Sequence, residues 1–307
     1  MPASIHFNDI LLVFVVISSM ALAVIFPDFG FRFRMLPYYC LMIIFFLSYL
    51  SIDIASIWTT LKSHSTEITV FSITKLVILP VVFYFAFYFI APSYALSALL
   101  LTGVSVGVVA PMISNMVHGN SALVLVIVVI TSVAAPFTLP AVVKIIASKD
   151  VTISFMSMLQ MLATVIFVPI IVVEIIRHLL PRLVKPILKI RFPASLVLFA
   201  VINLGVFYRY ASFFKNEPWV ILMSAIVVFV LAAIYCAIGI VFFRKSSLED
   251  KLAGAVMLGN LNNVLIIVFS SEFFGPVEPL VAAMYTIPFW VIVIPLRYYR
   301  NRMTRAI

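Results

Sequence analysis

The chain has 307 residues, of which 65% are hydrophobic and only 10% are charged, and its mean hydropathy is +1.25. This composition is typical of a protein that lies mainly in lipid, and it excludes an ordinary water-soluble globular domain. A bilayer core of about 30 Å takes about 20 residues of helix to cross. The 307 residues can therefore hold ten such helices with short connections and almost nothing else. Cys40 and Cys236 have no spacing that would indicate a metal or redox site.

Apolar runs separated by charged residues, Pro or Gly predict the membrane-spanning helices. In chain order the predicted spans are 8–26, 36–54, 66–90, 94–117, 121–146, 152–178, 193–210, 218–243, 250–273 and 277–297. The predicted fold class is an all-α integral membrane protein with ten transmembrane helices.

The formal net charge of +9 predicts the orientation of these helices, because Lys and Arg are enriched in cytoplasmic loops. With both termini in the cytoplasm, the inner loops and tail hold 13 of the 20 Lys and Arg residues, and the outer loops hold six. Lys75 alone falls inside a predicted span. We therefore expect a multi-pass protein of the cell membrane with both termini cytoplasmic. The same bias explains the basic charge without a nucleic-acid partner.

Two polar interruptions indicate an internal repeat. Span four carries PMISNMVHGN (111–120) and span nine carries GNLNNV (259–264), and each is the fourth span in a set of five. The next helices also resemble one another, with TSVAAPFTLP (131–140) in span five and MYTIPFWVIVIP (284–295) in span ten. Because five is odd, the second set must be inverted, as in many secondary transporters. The predicted repeats are 1–150 and 151–307.

The polar interruptions predict a binding site near the middle of the membrane. An unpaired backbone group costs several kcal/mol in hydrocarbon, so a helix is interrupted there only where it lines protein or water. Pro111 is expected to break span four and to free the carbonyls of Gly107 and Val108. Two crossed broken helices would offer an anion site and a cation site together, because their ends carry partial charges. The predicted substrate-binding residues are Pro111, Ser114, Asn115, Asn260, Asn262 and Asn263. Alternatively, these Asn side chains only hydrogen-bond neighbouring helices.

These motifs resemble the bile acid:sodium symporter (BASS) family, and the resemblance covers most of the chain. It includes LSIDIASIWTTL (50–61), TKLVILPVVF (74–83), the pattern SN, GN, TS and two prolines across spans four and five, and NN followed by FFGP near span nine. The resemblance implies a five-plus-five inverted repeat in which helices four and nine are discontinuous and cross. It also implies a core domain of spans 3–5 and 8–10 and a panel of spans 1, 2, 6 and 7. Substrates of that family are organic anions, usually coupled to two sodium ions.

The chain matches the family's motif at Ser114, Asn115 and Asn262, with Thr131 and Ser132 as further candidate matches. It departs from the motif at sodium ligands: the family's span-nine Glu aligns with Met257 and its neighbouring Gln with Leu261. The span-five hydroxyls align with Val124 and Val128. Sodium is a hard cation that prefers oxygen ligands, which these side chains lack. We therefore expect a divergent member of the family with altered or absent sodium coupling.

Lys75 aligns with a span-three Gln that helps to hold one sodium ion in the family. A Lys inside the bilayer costs about 3 kcal/mol or more unless it faces a cavity or reaches the interface. Its ammonium could occupy the vacated cation position, carry a proton during transport, or extend along the protein to the membrane surface. The predicted cation site, or its surrogate, consists of Lys75, Thr131, Ser132 and Met257. No cofactor is expected beyond sodium or a proton as coupling ion.

The predicted function is secondary active transport of a small organic anion, such as a carboxylate, by alternating access. One alternative is a related ten-helix efflux carrier of the auxin-efflux or arsenite type, although span four has no cysteine and the span-nine break has no carboxylate. Another is a non-transporting membrane receptor on a carrier fold. An enzyme is not expected, because no paired carboxylates or metal-ligand spacing fall at midplane depth.

Overall fold

The computed structural model describes residues 7–52, 60–61, 64–147 and 154–305. Over these ranges the chain is almost entirely helical, which confirms the all-α prediction. The main helices are α1 (Phe7–Ile25), α2 (Pro37–Tyr49), α3 (Ser65–Ile90), α4 (Ala95–Gly103), α5 (Ala110–Met116), α6 (Ser121–Ile146), α7 (Phe155–Leu179), α8 (Arg191–Phe207), α9 (Pro218–Phe242), α10 (Leu248–Gly259), α11 (Asn263–Phe273) and α12 (Val277–Thr304). Short helices at Pro27–Phe31, Pro181–Lys189 and Ala211–Asn216 connect them.

Several of these helices can cross a membrane. Within the described ranges, six are long and apolar enough: α3, α6, α7, the segment Arg191–Asn216 that extends α8, α9 and α12. Shorter apolar helices occupy Val13–Ile25, Pro37–Tyr49 and Asn263–Phe273. The chain is therefore a multi-pass membrane protein. The count of ten spans and the inverted repeat stay predictions, since the proposed boundary at 150–151 and most of LSIDIASIWTTL lie outside the described residues.

The helices pack in two sets. In one set α1 and α2 both contact α8, and α2 also contacts α7. The Asn203 side chain of α8 joins this set by donating to the carbonyl of Val16 at 3.1 Å and to the hydroxyl of Ser19 at 3.0 Å. The other set, called the second set from here on, contains α3 to α6 and α9 to α12. The two sets meet where α6 contacts α7 and where α11 contacts α2, α7 and α8.

Gly239 and Gly254 allow α9 and α10 to lie against each other. A Cβ on Gly239 would lie 2.2 Å from the Gly254 carbonyl oxygen, and a Cβ on Gly254 would lie 2.4 Å from the Gly239 oxygen. Small residues at such contacts let two membrane helices approach closely, so that van der Waals contact between their backbones stabilises the pair. This contact positions α10, which ends at the candidate site.

Polar side chains join several helices at one end of the second set. The Asn120 side chain accepts from the Leu123 amide at the start of α6 (3.1 Å) and donates to the Asp250 carboxylate of α10 (2.9 Å). Arg297 of α12 donates to the Met116 carbonyl at the end of α5 (3.0 Å). The α5–α6 loop, the start of α10 and the last turns of α12 therefore share one membrane face. Which side of the membrane this face occupies stays a prediction.

Basic side chains cap the carbonyl ends of other helices. Arg177 donates to the carbonyls of Tyr49 (3.1 Å) and Leu50 (3.3 Å) at the end of α2. Arg209 donates to the Ser271 carbonyl near the end of α11 at 3.3 Å. The last carbonyls of a helix lack intrahelical donors and carry partial negative charge, so a cation stabilises them. The same arrangement recurs inside the protein, at the candidate site.

Candidate functional site

Two interrupted helices meet inside the second set. The first interruption separates α4 from α5, and the second separates α10 from α11. The Gly107 amide donates to the Asn260 carbonyl at 2.7 Å, and the Asn262 amide donates to the Ser105 carbonyl at 3.0 Å. Val106 and Leu261 form an antiparallel β-bridge between these bonds. The interruptions leave backbone N–H and C=O groups without intrahelical partners. These groups bond to one another across the two helices, so they need no water. We call the segments 104–109 and 260–262 the crossing.

Gly107 lies where the two backbones come closest. A Cβ at this position would lie 3.1 Å from the carbonyl oxygens of both Asn260 and Leu261, and 3.3 Å from the Phe289 ring. Such contacts are tighter than a side chain normally accepts. The absence of a side chain therefore allows this backbone approach.

Span four is interrupted directly before Pro111, but the expectation that Pro111 frees the Gly107 carbonyl was wrong. Pro111 lies in the first turn of α5, where a missing N–H removes no intrahelical hydrogen bond. The Gly107 carbonyl is not free, because it accepts a hydrogen bond from the Ala110 amide at 2.9 Å. The interruption lies upstream of Pro111, and the pairing with the second broken helix stabilises it.

Lys75 lies at the carbonyl end of α4. It is in a π-helical turn of α3, Thr74–Ile78, and its side chain is fully buried. The ammonium donates to the carbonyls of Thr102 at 2.6 Å and Val104 at 2.7 Å. The Tyr235 hydroxyl of α9 donates to the same Thr102 oxygen at 3.3 Å. These carbonyls end a half-helix and carry partial negative charge. Lys75 therefore points into the protein and does not extend to the membrane surface.

The second broken helix is held by α12. The Tyr285 hydroxyl donates to the Gly259 carbonyl, the last residue of α10, at 3.0 Å. The Asn260 side chain donates to the Phe289 carbonyl at 2.9 Å. A side-chain donor thus closes the carbonyl end of each half-helix: a charged ammonium at α4 and a neutral phenol at α10.

Two predicted residues join the broken helices to their neighbours. The Asn262 side chain donates to the Ser105 hydroxyl at 3.3 Å. The Thr131 hydroxyl of α6 accepts from the Val106 amide at 3.1 Å and donates to the Ile127 carbonyl at 2.7 Å. The structure therefore brings Lys75, Thr131, Asn260 and Asn262 together around the crossing.

The family follows from a comparison with known proteins. Residues 10–291 match the SBF-like CPA transporter family (DUF4137). The chain belongs to this family. The resemblance to bile acid:sodium symporters is confirmed, since this is the same type of family. A search of curated proteins found no match. Family membership and the apolar helices together identify a membrane transporter, which implies a small-molecule substrate and a lipid environment.

Other predicted residues of the transporter lie away from the crossing. Asn115 is exposed, five residues into α5 and so roughly 8 Å along the helix axis from its start. Ser114 is fully buried, and within the described part of the chain its hydroxyl has no hydrogen-bond partner. Asn263 faces α12, where its side chain donates to the Thr286 hydroxyl at 2.7 Å. Their part in substrate binding stays a prediction.

Ser132 and Met257 complete the predicted cation site. Ser132 is fully buried in α6, and its hydroxyl has no hydrogen-bond partner among the described residues. Met257 is fully buried in α10. In the described part of the chain, no group of three or more His, Cys, Asp or Glu residues could hold a metal ion.

Three residues that bond to the crossing or to the helix ends beside it were not predicted: Ser105, Tyr235 and Tyr285. Ser105 precedes the polar stretch by a few residues and carries no motif of its own. The two tyrosines lie in apolar runs. A buried Tyr hydroxyl usually needs a hydrogen-bond partner, so a Tyr deep in a predicted span was the available signal. Both tyrosines donate to carbonyls at the ends of half-helices.

Proposed function

We propose that this transporter is a secondary active carrier of a small organic anion, that it works by alternating access, and that Lys75 replaces a bound sodium ion. The observation that carries the proposal is the position of the Lys75 ammonium. It lies 2.6 Å and 2.7 Å from two carbonyl oxygens at the broken end of α4. Helix ends of this kind coordinate the coupling cation in transporters with discontinuous helices.

Sodium has few free ligands at these positions. The carbonyls of Thr102 and Val104 already accept from Lys75. The resemblance aligns other sodium-binding residues with Met257, Val124 and Val128, which are fully buried and offer no side-chain oxygen. This donor set does not fit the sodium arrangement of the family, whereas an ammonium needs only acceptors. We therefore propose that sodium coupling is altered or absent.

The charge around the crossing favours an anionic substrate. Lys75 brings a positive charge when its amine is protonated, and the start of α11 presents the positive end of a helix dipole. The crossing segments contain no Asp or Glu. A carboxylate would gain from both positive groups, whereas an organic cation would be repelled by them. Asn262 is 5% exposed and Asn263 6%, so only a small part of each residue is accessible.

Alternating access needs one body that moves against another. The crossing belongs entirely to the set of helices formed by α3 to α6 and α9 to α12. Movement of this set along α7 and its partners would open the crossing first to one side of the membrane and then to the other. A proton carried by Lys75 is a second possible coupling mode, and it is distinguished by a dependence on the pH gradient.

The experiment that tests the proposed function has two stages. Purified protein is first screened by thermal shift against a panel of carboxylates and matched amines. A carboxylate at about 100 times its Kd should stabilise the protein by about 2.7 kcal/mol, and the amines should not. Proteoliposomes should then accumulate the stabilising carboxylate faster than empty vesicles. Stabilisation without accumulation would favour the alternative of a non-transporting membrane receptor. Stabilisation by amines alone would contradict an anion site.

A further inference from the structure

An apolar groove of about 360 Å³ runs along the outside of the transporter between α9 and α12. On α9, Phe229, Ala233, Ala237 and Ile240 line it at the spacing of one helix face, and α12 contributes a matching stripe from Pro288 to Tyr299. None of the lining side chains is charged. The volume falls within the range of about 300–1,000 Å³ that is usual for small-molecule sites.

The floor of the groove touches the second broken helix. A Cβ on Gly259 would lie 2.6 Å from the Cys236 sulfur and 2.9 Å from Cδ1 of Ile292, and both of these residues line the groove. The next residue of the chain, Asn260, donates to the Phe289 carbonyl of α12. An occupant of the groove would therefore contact the residues that hold the crossing.

The basic ends of α9 and α12 lie at the same membrane face. α9 is antiparallel to α10, because Gly239 packs against Gly254 and Cys236 against Gly259. The short loop after α9 leads to Asp250, which bonds Asn120. The last turns of α12 reach the same face through Arg297 and the Met116 carbonyl.

Four basic residues follow the two stripes at this face: Arg244, Lys245, Arg300 and Arg302. Arg244 comes one helical turn after Ile240, and Arg300 comes directly after Tyr299. Arg244, Lys245 and Arg302 are exposed, and Arg300 is partly exposed. Among the described residues none of the four has an ion pair. Unpaired basic residues at the end of membrane helices attract anionic lipid headgroups.

We propose that this groove binds an anionic phospholipid. One acyl chain lies between α9 and α12, and the phosphate lies among the four basic residues. The uncharged groove matches the acyl chain, and the unpaired positive charge at its end matches the headgroup. Since the groove reaches Gly259 and the α12 segment that holds Asn260, a bound lipid stabilises the crossing.

The test measures lipid binding to the full-length transporter purified in detergent. Native mass spectrometry and thermal shift compare phosphatidylglycerol with phosphatidylcholine of the same chains. We expect the wild type to prefer phosphatidylglycerol. The double variant Arg244→Gln/Lys245→Gln should bind phosphatidylglycerol about tenfold more weakly or worse, with little change for phosphatidylcholine. Ala237→Phe, which adds a ring at an exposed position that lines the groove, should weaken binding of both lipids.

The matched control is Arg182→Gln/Lys185→Gln, at two exposed positions of the connecting helix Pro181–Lys189 that do not line the groove. If this control lowers binding as much as Arg244→Gln/Lys245→Gln, general surface attraction explains the result and the proposal is overturned. Unchanged lipid binding by Ala237→Phe would also overturn it. Binding of glycerol 3-phosphate, which carries the phosphate but no acyl chain, is measured on the wild type. Binding as tight as that of phosphatidylglycerol would show that the acyl chain is not held.

Discussion

Lys75 shows how a single charge is accommodated inside a membrane protein. A Lys at this depth costs about 3 kcal/mol or more when it is unpaired. Here its ammonium bonds to two carbonyls that have no donor of their own within α4, so one pairing satisfies both partners. The positive charge is also attracted to the partial negative charge of the helix end, which stabilises it. The residue is therefore bound by the same features that would attract a metal cation.

Lys75→Met tests this pairing directly. The variant leaves the Val104 carbonyl without the ammonium, and the Thr102 carbonyl keeps only Tyr235. An orphaned buried carbonyl costs about 1–3 kcal/mol, which corresponds to roughly a 5- to 150-fold loss of transport if the active conformation needs the intact crossing. The measurement is the initial uptake rate of the stabilising carboxylate in proteoliposomes. Lys185→Met, at an exposed position, is the control and should transport normally. A wild-type rate in Lys75→Met would contradict the role of the ammonium.

Gly107→Ala tests the closeness of the two backbones. The new Cβ would meet two carbonyl oxygens at 3.1 Å, and backbone atoms cannot move away as an exposed side chain can. We expect a loss of about 1–3 kcal/mol in stability from overpacking, measured as a lower melting temperature, together with slower transport. Gly275→Ala is the matched control, because its nearest atom is the Glu278 carboxylate oxygen at an ordinary 3.6 Å. Equal melting temperatures for the two variants would show that the approach at Gly107 is looser than described.

Single residues were predictable where their chemistry does not suit lipid. Lys75 and Asn262 attract notice in any apolar run, and both lie at the crossing. Pro111 and Asn115 attract notice for the same reason, yet one begins α5 and the other lies near its exposed end. Whether a proline interrupts a helix or lies in its first turn depends on what the residues before it bond to. Here their partner was the second broken helix, which local sequence does not reveal.

At the scale of elements, hydropathy predicted helix positions well because the bilayer fixes the length of an apolar run. Residues 121–146 were predicted as a span and form α6 (Ser121–Ile146). The π-helical turn Thr74–Ile78 and the connecting helix Pro181–Lys189 were not predicted. A π-turn depends on i to i+5 bonds that packing stabilises, and hydropathy carries no signal of it. This turn contains Lys75.

The α9–α10 contact gives a prediction at this scale. Gly239→Ala places a Cβ 2.2 Å from the Gly254 oxygen, which forces the helices apart. We expect a loss of at least about 3 kcal/mol, at the upper end of overpacking costs, or failure to fold. The measurement is the yield of monodisperse protein and its melting temperature, again with Gly275→Ala as the control. A fully stable Gly239→Ala variant would contradict the tight contact between these helices.

At the scale of the whole molecule, the composition and two polar interruptions were enough to predict an all-helical membrane transporter. They were not enough to predict how the broken helices satisfy each other, because the bonds between Gly107 and Asn260 and between Asn262 and Ser105 join residues that are far apart in sequence. The sidedness of the termini and the symmetry of the repeats depend on the membrane and on the whole chain, so they stay predictions.

The central claim is that a resident ammonium takes the place of sodium, and the coupling of transport tests it most directly. Uptake of the stabilising carboxylate is measured in proteoliposomes with sodium chloride or choline chloride outside, at equal ionic strength. We expect the same initial rate in both media for the wild type, because Lys75 already occupies the Thr102 and Val104 carbonyls. Uptake that requires sodium and stops in choline would contradict it.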